Sequence, residues 1–179
     1  IAREEQTEKL LIETVEALTN TIDAKDSYTS GHTRRVARYS KMLAERLGKS
    51  TEEQELIYRA GLLHDVGKIR VPESVINKPG KLSKEEYEQM KLHPISGYRI
   101  ISGISWDRSI AFRARFHHER YDGSGYPDGR AGEDIPEIAR IIGVADAYDA
   151  TTSNRSYRNA LPQEVVKEEL IKGKGKQFD

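Results

Sequence analysis

The sequence predicts an all-α protein, and three observations carry that expectation. Apolar residues recur at spacings of three and four through most of the chain, while the period-two alternation of a half-buried strand is scarce. Two capping-box signatures, Ser50 with Glu53 and Ser83 with Glu86, each mark a helix start. Pro72 and the Lys78-Pro79-Gly80 turn then punctuate the chain between helical stretches.

The elements come in order along the chain. A first helix is expected over about residues 4–25, because Leu11, Val15, Leu18 and Ile22 step by four, three and four into one apolar stripe. That stripe suits either docking on the core or pairing with a twin in a homodimer. A second helix is expected from near Gly31 to Gly48, with Gly48 as its C-terminal glycine. The third opens at Ser50, turns Leu56, Ile57, Ala60 and Leu63 inward, and ends around His64-Asp65. A fourth starts at Ser83 and leads to His93-Pro94. Further helices are expected over 94–101, 107–118, 136–152 and 162–172. The run from Asp122 to Gly129 is too rich in Gly and Pro to be anything but a loop.

Composition narrows the function. The 179 residues suffice for one domain with a real core. Basic and acidic residues number 29 each, so no cationic excess points to polymeric nucleic acid or to a membrane surface. No stretch approaches the roughly 18 uninterrupted apolar residues of a spanning helix. Cysteine is absent, which leaves imidazole and carboxylate as the available metal ligands. The chain opens at Ile1 without an initiator Met or signal peptide and stops at Asp179. It therefore reads as the output domain of a longer, cytoplasmic protein: a linker or signalling helix over residues 1–25, then a domain over 26–179 that is cut at its C-terminus.

Five histidines stand in chemically loaded contexts: His32, His64 before Asp65, His93 before Pro94, and the pair His117-His118 before Glu119. Taken singly, a histidine is usually a satisfied core or surface residue. An adjacent pair on one helix, 100° apart, rarely serves packing alone. A carboxylate beside an imidazole can do what imidazole cannot, because its two oxygens can bridge two metal ions that clamp a phosphoryl group. Asp146 lies in an otherwise apolar helix, Ile141 to Ala150, where a buried carboxylate needs a partner. Asp149, one turn further, is read as a residue standing behind the ligands.

These residues also form an ordered motif set. His64-Asp65-Val66-Gly67-Lys68 resembles the signature of the HD superfamily of metal-dependent phosphohydrolases. Gly31-His32, His93-Pro94-Ile95-Ser96-Gly97, His117-His118-Glu119, the loop Asp122-Gly123-Ser124-Gly125-Tyr126-Pro127 and the run from Asp146 to Arg158 resemble its HD-GYP subfamily. The resemblance covers about residues 26–179. It implies a helical HD-domain bundle with a Gly/Pro-rich GYP loop, acting as a cyclic di-GMP phosphodiesterase.

Carried over position by position, it implies one metal held by His32, His64, Asp65 and Asp146. A second would be held by Asp65, His93, His117 and His118, with Asp65 as the bridge. The nitrogen- and oxygen-rich ligand set suits iron first and manganese second. Where some members carry a glutamate four residues before the first histidine, this chain has Tyr28, so two ions are expected rather than three. Lys68 is expected on a substrate phosphate, Arg155 and Arg158 on the phosphates as well, and Tyr126 against a guanine or the pocket wall. The implied reaction is in-line attack by a metal-bridging hydroxide, giving linear pGpG, with further cleavage to GMP left open. Two other readings share the motifs: hydrolysis of a different nucleotide, and a docking module in which Tyr126-Pro127 is exposed to meet a diguanylate cyclase (GGDEF) domain.

Overall fold

Helix α1 (Ala2–Asp23) lays Val15, Thr19, Ile22 and Asp23 against the rest of the molecule, one helical face spaced by four, three and one. The computed structural model describes residues 2–26, 30–103, 108–154 and 159–179. Val15 joins the main core, so the helix docks. Leu18 does not follow the expected stripe. It is 60% exposed, and Thr19 takes the buried position beside it, its hydroxyl donating to the Val15 carbonyl at 3.0 Å.

The expected helices form, with one clear correction. α2 (His32–Arg46) is stopped just past its end by Gly48, whose φ of 73° is the left-handed conformation that glycine adopts without a side-chain clash. α3 (Thr51–Leu63) opens with the full capping box of Ser50 and Glu53. A 3-10 turn (Val66–Arg70) and the short α4 (Glu73–Ile76) lead to α5 (Lys84–Met90), which carries the second capping box. α6 (His93–Ile101) has Pro94 in its first turn, where a missing N–H costs nothing. α7 (Arg108–Ala114) stops four residues short of the expected end, so His117 and His118 sit in turns and not on a helix. α8 (Glu137–Thr152) and α9 (Gln163–Lys172) complete the order. No strand forms among the described residues, and a single bridge joins Lys174 to Phe178.

The core lies where α2, α3, α7 and α8 meet, around Val36, Ala37, Ile57, Ala60, Ile110 and Ile142. Small residues let the helices approach closely, and burying the aliphatic side chains contributes roughly 1.5–3 kcal/mol apiece.

Polar contacts tie the end of α1 to α2 and to the 3-10 turn. The Asp23 carboxylate accepts from the Thr33 hydroxyl at 2.6 Å and from the Thr33 N–H at 3.2 Å, holding the first turn of α2. The Lys25 ammonium donates to the carbonyls of Val71 at 2.5 Å and Ile69 at 3.0 Å, clamping the end of the 3-10 turn. Asn77 returns to the Lys25 carbonyl at 2.8 Å. Among the described residues no helix is long and apolar enough to cross a membrane.

The 3-10 turn and α6 are packed backbone to backbone. A Cβ at Gly67 would lie 1.8 Å from the His93 carbonyl oxygen and 2.4 Å from the Gly97 nitrogen. Neither partner is a flexible side-chain end, so Gly67→Ala must part the turn from α6. Denaturant unfolding should show a loss of about 3 kcal/mol or more, the upper range for overpacking a close-packed site. A loss under about 1 kcal/mol would show that the contact yields freely.

Candidate metal centre

Helix ends and the turns beside them deliver most of the site. His32 opens α2, His64 closes α3 with Asp65 directly after it, and His93 opens α6. His117 and His118 come from the turns after α7, and Asp146 from the middle of α8. All seven residues converge. The atoms of Asp65, His93, His117 and His118 that could ligate lie within 4.8 Å of one another, as do those of His32, His64 and Asp65. Asp146 joins the second group through its Oδ1, 3.3 Å from His32 Nε2.

Asp65 divides its two oxygens between the groups. Its Oδ1 lies 3.2 Å from His93 Nε2 and 3.8 Å from His117 Nε2. Its Oδ2 lies 3.3 Å from His64 Nε2 and 3.5 Å from His32 Nε2. The Lys68 ammonium, reaching back from the 3-10 turn, sits 2.5 Å from the same Oδ2. Burial pushes the Asp65 carboxyl up, but His64, Lys68 and the imidazole hydrogen bonds outweigh it and hold it well below the usual carboxylate range. Asp146 is held well below that range too: burial raises it, and the bond and charge of His32 prevail.

The imidazoles are aimed by their far nitrogens. Nδ1 of His64, His93 and His117 each contacts the carbonyl oxygen three residues earlier, of Gly61, Met90 and Ala114, at 2.7 Å in every case. A carbonyl only accepts, so each Nδ1 carries a hydrogen and each ring turns its Nε2 inward. His32 is aimed differently. Its Nδ1 lies 2.7 Å from Asp149 Oδ2, and Asp149 in turn accepts from Arg35 Nε at 2.6 Å and Arg35 Nη2 at 3.1 Å. Asp149 is 1% exposed, which settles its place behind His32 rather than toward solvent.

The inward nitrogens fit cations. His64 Nε2 is buried and faces the Asp65 carboxylate at 3.3 Å; burial disfavours charge on the ring, but the Asp65 charge outweighs it and raises His64 above its usual range. His93 Nε2 and His117 Nε2 face each other at 3.4 Å, a pair of nitrogens that a shared cation would satisfy together. Burial and neighbouring imidazole charge drive His117 well below its usual value and His118 down to about 3, which keeps both as neutral donors. Burial also disfavours charge on His32, yet its bonds to Asp146, Asp149 and Asp65 carry it well above the usual range. The carboxylates thus draw positive charge to this corner. The cluster could bind divalent metal ions, and its donors are all imidazole nitrogen and carboxylate oxygen.

The other expected residues are more scattered. Lys68 is engaged by Asp65 but lines a cavity of about 830 Å³ that also reaches His32, His93, His118 and Asp146. Tyr126 is half-buried, its ring stacked on His118 at 4.8 Å between centroids, so it is less open than a docking residue was expected to be. Asp122, Ser124 and Asp128 form the exposed rim of that loop instead. Glu119 holds the loop closed, accepting from the N–H groups of Asp128 at 2.7 Å and Arg130 at 3.0 Å. Tyr28, Arg155 and Arg158 lie outside the described residues. Arg35 and Glu119 had no assigned part in the sequence reading. Arg35 stands three residues after His32, a one-turn spacing that could have signalled it.

Asp149→Ala should leave the fold intact by circular dichroism while weakening metal binding at the His32 group by roughly 10–100-fold, the scale for losing a histidine-orienting carboxylate. Calorimetric titration of the metal-free protein with Mn²⁺ checks this, and unchanged affinity would show that Asp149 does not orient His32.

A family model described as HD domain matches residues 16–179. The cyclic di-GMP phosphodiesterase response regulator RpfG of Xanthomonas campestris pv. campestris is 46% identical over 170 residues, covering 93% of this chain and 45% of the relative. The 3'3'-cGAMP-specific phosphodiesterase 2 of Vibrio cholerae is 38% identical over 169 residues, covering 93% of this chain and 32% of the relative. The chain therefore spans less than half the length of these curated relatives. Among solved structures, the V. cholerae cyclic GMP-AMP phosphodiesterase V-cGAP3 shares the fold at a TM-score of 0.71 and 20% identity, covering 93% of this chain and 45% of that one. Bd1817, an HDG"Y"P protein from Bdellovibrio bacteriovorus, matches at a TM-score of 0.67 and 26% identity, covering 82% of this chain and 47% of that one. With the motif set, the all-helical fold and these relatives in agreement, the chain belongs to the HD domain family, in its HD-GYP branch.

Proposed function

We propose that this chain is the catalytic domain of a metal-dependent cyclic dinucleotide phosphodiesterase, with cyclic di-GMP as substrate and linear pGpG as first product. The observation that carries the reading is the split of Asp65, one oxygen to each imidazole group, which is the arrangement a bridge between two cations requires. His32, His64, Asp65 and Asp146 would hold one ion, and Asp65, His93, His117 and His118 the other. The all-nitrogen-and-oxygen donor set suits iron, then manganese. When bound, such ions supply Lewis acidity to phosphoryl oxygens and lower the pKa of water.

The chain's own groups do the rest. The three carbonyl-anchored imidazoles and the Asp149-anchored His32 keep their Nε2 atoms aimed without reorganisation. Lys68 balances the charge of Asp65, and its place on the cavity wall puts its ammonium within range of a phosphate oxygen there. Tyr126, stacked on His118, walls the cavity beside the cluster.

The relatives differ in substrate, some acting on cyclic di-GMP and some on 3'3'-cGAMP. The 46% match to a cyclic di-GMP enzyme supports cyclic di-GMP as the first reading, with 3'3'-cGAMP, whose enzymes match at 38% and 40%, as the second. A docking module without catalysis is disfavoured, since losing catalysis ordinarily loses ligands and here seven converge. Docking of a diguanylate cyclase domain would engage the exposed rim of the 122–129 loop, and a homodimer would use the outward Leu10 and Leu18 of α1.

Protein reconstituted anaerobically with Fe²⁺ or Mn²⁺ should convert cyclic di-GMP to pGpG on chromatography, faster than 3'3'-cGAMP. It should carry two ions per chain, as Tyr28 in place of a glutamate implies. Asp65→Ala should lose bound metal and turnover together, by about 10³-fold or more in rate, since removing a bridging ligand removes the charge stabilisation that dominates such sites. Full turnover in that variant, or three ions per chain, would contradict the reading.

A further inference from the structure

The 3-10 turn that carries Lys68 is held by packing at its start and not at its end. Gly67 lies directly against the backbone of His93 and Gly97 in α6. Past Lys68 the packing runs out. Ile69 is 56% exposed and Arg70 is exposed as well, so neither side chain anchors the turn in the core. The hydrogen bonding runs out too. The Val71 N–H still donates to the Lys68 carbonyl at 3.0 Å, but Pro72, the next donor a continuing 3-10 turn would bring to Ile69, has no N–H.

Lys25, just past the end of α1, fills that gap. Its ammonium donates to the Ile69 carbonyl at 3.0 Å and the Val71 carbonyl at 2.5 Å, and it reaches that of Lys68 at 3.4 Å. An ammonium has three N–H groups and no acceptor, and its positive charge suits the carbonyl end of a helical turn. Lys25 is itself fixed, because Asn77 Nδ2 donates to its carbonyl at 2.8 Å. Lys68 therefore sits between two holds, α6 on one side and Lys25 on the other. Its ammonium turns back to Asp65 Oδ2 at 2.5 Å and its side chain lines the cavity beside the cluster. So long and flexible a stem keeps one direction only while the backbone beneath it stays still.

We propose that Lys25 is a positioning residue for the reaction: by pinning the carbonyls at the end of the 3-10 turn, it fixes the direction of the Lys68 ammonium. Lys25 lines neither that cavity nor the smaller one beside the 119–126 segment, so its effect on turnover passes through Lys68. The inference rests on the phosphodiesterase reading, in which Lys68 meets a phosphate oxygen, and adds a residue that none of the motifs contains.

The test is a double-mutant cycle on metal-loaded protein, with kcat/KM read on cyclic di-GMP and on bis(p-nitrophenyl) phosphate. Lys25→Met should lower kcat/KM roughly tenfold to a hundredfold, the scale of a functional group misplaced by about 1 Å. Lys25→Arg, whose guanidinium can donate to the same carbonyls, should restore most of the loss. In a Lys68→Met background, adding Lys25→Met should change kcat/KM by less than about twofold, because the group it positions is gone. Lys49→Met is the control: this lysine pairs with Glu137 at 2.7 Å, away from the turn, and its loss should leave kcat/KM as it is. If Lys25→Met does not fold by circular dichroism, Asn77→Ala, which releases the Lys25 carbonyl, runs through the same cycle.

An equal loss from Lys25→Met in both backgrounds overturns the proposal, because general loosening of the fold gives that result. Wild-type turnover in Lys25→Met overturns it as well, and so does wild-type turnover in Lys68→Met, which leaves nothing to position. Cleavage of bis(p-nitrophenyl) phosphate without cleavage of any cyclic dinucleotide sinks the substrate reading alone, and the cycle on the simpler ester still decides Lys25. A metal-loaded wild type that cleaves neither substrate overturns both.

Discussion

The site is organised around one buried carboxylate that must face two ways. Asp65 is 4% exposed and stays ionised, and a lone charge so placed would be strongly destabilising. It is tolerable because Lys68 and four imidazoles surround it, two on each oxygen. Those imidazoles are themselves unfavourable company for one another. With their Nδ1 atoms committed to carbonyls, His93 and His117 bring their Nε2 atoms within 3.4 Å of each other, while His64 Nε2 faces the Asp65 carboxylate at 3.3 Å. Carboxylate and imidazoles satisfy one another fully only when positive charge is shared among them, which is the condition for holding metal.

The backbone is arranged to make that crowding possible. Three of the ligands sit at helix ends or in the turn just past one, where Nδ1 can reach a carbonyl three residues back that the helix leaves available. Gly67 lets the turn after His64-Asp65 lie directly on the start of α6, which brings His93 to the same carboxylate. Asp23 and Lys25, at the end of α1, hold the first turn of α2 and the end of the Lys68 turn. The first helix is therefore bonded to both elements that frame the His32 side of the cluster. Displacing it would strain the site through two named contacts rather than through the core at large.

Much of this was legible in the sequence, for physical reasons. The helices of the core announce themselves through apolar spacing, and both capping boxes form because Ser and Glu three apart satisfy orphan N–H groups locally. The five histidines and two aspartates stood out because, without cysteine, only imidazole and carboxylate could hold a metal, and these seven stand in ordered motifs. What was missed depends on tertiary context. Apolar spacing alone could not show that Thr19 and not Leu18 turns inward, nor that α7 stops at Ala114 so that a turn presents His117 and His118. The openness of Tyr126 was overread, because a loop sequence does not reveal that its aromatic ring folds back on His118. Arg35 reads as an ordinary helix-face charge until α8 brings Asp149 to it. Lys25 enters no motif, because only the fold brings the end of α1 onto the 3-10 turn.

If Asp65 joins two metal ions into one unit, the ions must sense each other. Electron paramagnetic resonance of the Mn²⁺-loaded protein reads this, because ions sharing a carboxylate at the roughly 3.5–4 Å of a two-metal site are magnetically coupled. Two Mn²⁺ per chain with a coupled multiline spectrum are expected, and Asp65→Asn should lose that coupling. Two ions giving only the six-line spectrum of isolated Mn²⁺, or a coupled spectrum that persists in Asp65→Asn, would contradict the bridge.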